Sequence, residues 1–129
     1  MNTKLIMTLT SLLLTIIGIT LTFAPDMVMK SLNINSSFTI TLILQLLGSL
    51  YCGFAILNWM AKGAIIGGIY NKPIAIGNLT HFLIAGLALT KAVFHYQELP
   101  AIFSILAGCF VILAGVFGVI ASRHPNKNY

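Results

Sequence analysis

Four stretches of this chain, 5–24, 38–60, 73–92 and 100–121, are each at least as long as a membrane span and contain no acidic side chain. A helix needs roughly 20 mostly apolar residues to cross about 30 Å of hydrocarbon. In lipid every backbone polar group must be satisfied within its own segment, so each such stretch is predicted to be a helix. Only 7% of the residues are charged, against about 25% in soluble domains. So few charges cannot coat a water-soluble globule, and the four stretches leave no room for a soluble domain. The fold class is therefore all-α, an integral-membrane antiparallel four-helix bundle forming one domain over 1–129.

The net charge is +5, but no basic run exists and the cations sit at span ends, so nucleic acid is not a partner. Lys4, Lys62, Lys72, Arg123 and Lys127 fall on one side of the membrane. Lys30 and Lys91, offset by Asp26 and Glu98, fall on the other. The basic side faces the cytoplasm, which places both termini there and Asn33–Ser37 and Gln97–Leu99 outside. The expected location is a bacterial inner membrane.

Residues 1–24 resemble a signal peptide only superficially. The apolar run exceeds the 7–15 residues of a signal core, and Ala24-Pro25 is a poor cleavage context. It reads as an uncleaved first span, with threonines and Ser11 bonding back to their own helix. In 25–37, Pro25 and Asp26 suit a helix start, and Met27, Val28 and Leu32 give a short interfacial helix an apolar face. Asn33 and Asn35 end it, and Ser36 or Ser37 caps the second span.

Helix approach is expected at small-xxx-small pairs: Ser49 and Gly53 in the second span, then Ala114, Gly118 and Ser122, with Gly108 and Gly115 nearby. Gly67 and Gly68 break the second span's helix, Asn71-Lys72-Pro73 turns the chain, and Lys91–Leu99 connects the last two spans. Asn78, His81, Ala85, Ala88, Ala92 and His95 form one stripe facing another helix. Cys52 and Cys109 lie in different spans with no CxxC, so both are expected to be unpaired, structural thiols.

Unusual polar residues concentrate between Gln45 and His81. Trp59, Tyr51 and Tyr70 suit the interfacial aromatic belt. Asn58, Asn78 and His81 lie toward the cytoplasmic ends of the second and third spans. An antiparallel hairpin centred near Ile69 would bring Asn58 level with His81, with Asn78 about one turn away on the same stripe. Neutral imidazole offers one donor and one acceptor, and an asparagine amide complements either. Asn58, Asn78, His81 and Tyr51 are therefore the candidate ligand-binding residues. Two readings fit them. Interhelical hydrogen bonds of roughly 0.6 kcal/mol each would hold helices together. Alternatively the residues line a pocket, since an intramembrane ionisable residue points to a site.

Catalytic chemistry finds little support. His81 and His95 have the spacing of stacked haem ligands, but no other span supplies an axial histidine, and zinc ligands do not cluster. No base stands beside a nucleophile. Four spans in so short a chain resemble the small multidrug exporters, but those place a carboxylate within a span, whereas Asp26 and Glu98 sit in connections. No catalytic residue, cofactor or metal is assigned, and the balance leans against an enzyme.

A first span ending in Phe23-Ala24-Pro25, a short interfacial helix, and Gln45 followed by Gly48 in the second span together resemble the small four-span DoxX-like proteins of bacteria. The block from Leu47 to Phe82 is similar to that of small bacterial inner-membrane proteins. The resemblance implies a four-helix bundle associated with respiratory or redox membrane complexes, and it assigns no catalytic residue. The leading expectation is a non-enzymatic accessory or small apolar-ligand-binding subunit of a membrane complex. The alternative is a small oligomeric transporter or channel. Expected partners are membrane lipid and either copies of the chain or other subunits.

Overall fold

The computed structural model describes residues 2–64, 71–96 and 98–122. Among them all regular structure is helical: α1 (Thr3–Phe23), α2 (Pro25–Ser31), α3 (Phe38–Ala61), α4 (Lys72–His95) and α5 (Ala101–Ser122). The four long helices are each long and apolar enough to cross a membrane, so the chain is a multi-pass integral membrane protein. The all-α class and the four spans are as the sequence implies. The helix break at Gly67-Gly68, Tyr70, Gln97 and the tail with Arg123 and Lys127 lie outside the described residues.

The helices group into two units, 1–63 and 64–129. In the first, α1 and α3 run antiparallel. Ser11 meets Ala55, Gly18 meets Gly48 and Cys52, and Gln45 reaches Thr22, so numbers rise along one helix as they fall along the other. The Asn2 carboxamide caps α1 by accepting from the Leu5 amide at 3.2 Å, and Ser37 caps α3 by accepting from Ile40 at 3.2 Å. Each cap satisfies an amide that the helix start leaves without a partner.

Between them α2 starts on Pro25, carries Asp26 in its first turn and Lys30 in its last, and so matches the helix dipole at both ends. It ends in a Schellman arrangement: Ile34 N–H donates to Met29 O at 2.9 Å and Asn33 N–H to Lys30 O at 3.2 Å. That geometry requires the left-handed backbone seen at Asn33, φ 53°, which asparagine tolerates better than most residues. The buried face of α2 is Pro25 and Met29. Met27, expected to share it, is exposed, because one position on a helix is a 100° rotation and 25, 28, 29 and 32 make the stripe.

In the second unit α4 and α5 are also antiparallel. Leu79 lies against Gly118, Phe82 against Phe110 and Phe117, and Gly86 against Phe110 and Val111. Asn71-Lys72-Pro73 is the start of α4 rather than a free turn, with proline in the first helical positions, where its missing N–H costs nothing. At its other end α4 continues through His95, closed by Tyr96 N–H on Ala92 O at 2.9 Å. Lys91–His95 was expected to be connection. No proline or glycine interrupts it, and the helix stops only where Pro100 approaches.

Candidate functional site

Each candidate side chain is placed by its own unit. In the first, Asn58 is wholly buried, and its Nδ2 donates to Phe54 O, one turn back, at 2.8 Å. Tyr51 is half-buried two turns back on the same face of α3. In the second, Asn78 is also wholly buried and donates from Nδ2 to Ile74 O at 2.9 Å. The two amides thus share one local device. The back-bond uses one hydrogen-bonding position of the carboxamide and holds its plane along the helix.

His81 is half-buried in an aromatic setting. Its ring stands edge-on to Phe82, with centroids 5.1 Å apart and an interplanar angle of 71°, and tilts over Phe110 at 5.8 Å. Phe82 meets Phe110 edge-to-face at 5.2 Å and stacks on Phe117 at 5.8 Å. These three phenylalanines are the buried core of the α4–α5 pair, so the imidazole borders a rigid apolar wall. Asn58 and His81, expected to pair, belong to different units.

The α4 stripe is only partly inward. Asn78 is buried, His81, Ala85 and Ala92 are half-buried, and Ala88 and His95 are exposed. His95 packs edge-on against Tyr96 at 5.0 Å. Cys52 and Cys109 are free thiols, as expected. Among the described residues, no three His, Cys, Asp or Glu side chains come together.

Sequence reasoning missed the polar contact that joins α1 to α3. Ser11 does not bond back to its own helix. Its hydroxyl donates across to Ala55 O at 2.7 Å, in a buried position. Thr8, Thr15 and Thr20 do bond back, to Lys4, Ser11 and Ile16 carbonyls, each at 2.8 Å. The difference follows from the neighbour: Ser11 is on the face of α1 that α3 covers, while the three threonines are on its flanks.

The helix-approach residues also differ from those expected. A Cβ at Gly18 would lie 2.7 Å from Cys52 Sγ and 2.9 Å from Cys52 N. One at Gly48 would lie 2.8 Å from both Gly18 O and Thr22 N, and closer still to the Thr22 hydroxyl. Only glycine permits that approach. Ser49 is exposed, and a Cβ at Gly53, Gly108 or Gly115 would meet nothing within 4 Å. Those positions face outward, while Ala114 is buried and Gly118 takes the Leu79 side chain at ordinary contact distance.

Against these features, no family model, curated protein or solved structure matches the chain.

Proposed function

We propose that this chain is a non-enzymatic accessory subunit of a membrane complex, holding a small apolar ligand through the polar side chains set into its spans. The observation that carries the reading is the complete burial of two carboxamides, Asn58 and Asn78, in helices that are otherwise apolar. Polar side chains inside a membrane are costly and tend to face protein or ligand rather than lipid. Asn78 and His81, together in the second unit, are the side chains proposed to meet the ligand; Asn58 and Tyr51 are the corresponding candidates within the first unit. The Phe82–Phe110 wall beside His81 supports an apolar ligand with one polar group. The resemblance to DoxX-like proteins supports a respiratory or redox complex in the bacterial inner membrane, and the basic asymmetry supports cytoplasmic termini.

The ligand reading is tested by purifying the chain and its His81→Leu variant in mild detergent, then comparing co-purifying small molecules by mass spectrometry. Losing one desolvated hydrogen bond costs about 1–3 kcal/mol, so retention is expected to fall by about fivefold to a hundredfold, with the variant as stable as the parent. Identical small-molecule content in the two proteins would overturn the reading and leave His81 a packing residue.

Orientation is tested separately. Single cysteines at Asn35 and Asn126, in a chain carrying Cys52→Ala and Cys109→Ala, are probed with an impermeant thiol reagent on intact cells. Labelling is expected at position 35 only. Labelling at 126 but not 35 would reverse the topology.

A further inference from the structure

A groove of about 280 Å³ runs along the α1–α3 pair, lined by Ser11, Leu12, Thr15, Ala55, Ile56 and Trp59. Its two hydroxyls are turned to backbone: Ser11 to Ala55 O and Thr15 to Ser11 O. What the groove presents is therefore hydrocarbon and one indole. The lining from Ser11 to Trp59 offers an extended acyl chain an apolar track between the two helices.

One end of the groove is positive. The antiparallel pairing is anchored at Ser11–Ala55. Seven residues back along α1 is Lys4, and seven forward along α3 is Lys62, each two turns or about 10.5 Å beyond that contact and at the same end of the pair. The Lys62 ammonium lies 2.8 Å from the centre of the Trp59 ring, so a cation–π contact holds it at the mouth of the groove. Lys4 is exposed. The one acid of this unit, Asp26, starts α2 at the opposite end, so no carboxylate of the unit neutralises the two lysines.

We propose that this groove binds an anionic phospholipid, with an acyl chain along Leu12, Thr15 and Ile56 and the phosphate between Lys4 and Lys62. The hydrocarbon groove, the interfacial tryptophan and the uncompensated cations fit the three parts of such a lipid in the order in which they occur along it. The site is independent of the ligand reading above and rests on different residues.

Trp59 is the chain's only tryptophan, which makes it a local reporter. The full chain is reconstituted in phosphatidylcholine vesicles containing either brominated phosphatidylglycerol or brominated phosphatidylcholine, and quenching is followed against mole fraction. Each juxtamembrane lysine contributes roughly fivefold, so half-quenching is expected at about thirtyfold lower mole fraction of the anionic lipid. Lys4→Gln, which leaves Trp59 and its lysine contact intact, should remove about fivefold of that preference, and Lys4→Gln with Lys62→Gln should remove it all. Lys91→Gln, in the other unit, should change nothing. Equal quenching by the two lipids, no quenching by either because protein fills the groove, or a preference that survives the double variant would each overturn the proposal.

Discussion

Gly48→Ala is expected to destabilise the α1–α3 pair by about 2 kcal/mol, whereas Gly53→Ala, the same chemical change five residues on, is expected to be neutral or slightly stabilising. The new methyl at Gly48 would sit 2.8 Å from the Gly18 carbonyl oxygen and the Thr22 amide nitrogen. Those are backbone atoms, which cannot swing aside as a side-chain end would. Relief requires the helices to part, and overpacking of this kind costs about 1–3 kcal/mol, occasionally more. Alanine returns about 0.5–1 kcal/mol of helix propensity, less than the backbone collision costs. At Gly53 nothing lies within 4 Å, so only the propensity gain remains. Unfolding of the two variants in mixed micelles, followed by Trp59 fluorescence, gives the comparison. Equal effects at the two positions would mean that α1 and α3 do not meet at Gly48.

Phe82→Ala is the corresponding lesion in the second unit, with an expected loss of about 3 kcal/mol. Lipid tails are as apolar as phenylalanine, so the usual transfer gain on burial is missing in a membrane, and packing alone is lost. A cavity of the order of 100 Å³ at about 24 cal/mol per Å³ gives roughly 2 kcal/mol. Losing the edge-to-face contact with Phe110 and the stack on Phe117 adds about 0.5–1.5 kcal/mol for each pair, partly counted already in the cavity. Phe82→Leu should recover more than half of the loss. Thermal unfolding of the parent and both variants measures this. A Phe82→Ala change under about 1 kcal/mol would show that the site collapses freely and the aromatic cluster is not the core.

Span positions were legible because length and hydropathy alone decide them, and helix starts such as the serine cap of α3, narrowed to Ser36 or Ser37, and Pro25 of α2 were legible because their chemistry is local. The inward faces were not. In a soluble helix polar residues mark the outside, but here lipid and protein interior ask for the same side chains. Gly48 and Ser49 are neighbouring small residues 100° apart on α3, and nothing in the sequence says which of them α1 covers. Choosing Ser49 and Gly53 followed the spacing and missed the approach at Gly18 and Gly48. Ser11 was unreadable for the same reason, because its hydroxyl finds Ala55 only once α3 is docked. Of the candidate residues, the burial of Asn58 and Asn78 could be inferred from their cost in lipid. The back-bonds to Phe54 and Ile74 could be expected for asparagine only in general terms.

The Ser11–Ala55 hydrogen bond also limits how α1 can move. Two greasy cylinders in oil can slide past one another with little change in energy, because every axial offset exchanges hydrocarbon for hydrocarbon. A hydroxyl seated on a carbonyl removes that freedom. A piston stroke of one helical turn, about 5.4 Å, would part the 2.7 Å contact and remove one hydrogen bond in a medium with no water to replace it. Tension applied to the chain's first residues would therefore pass to α3 as a pull on its backbone near Ala55, so α1 acts as a stay rather than a plunger.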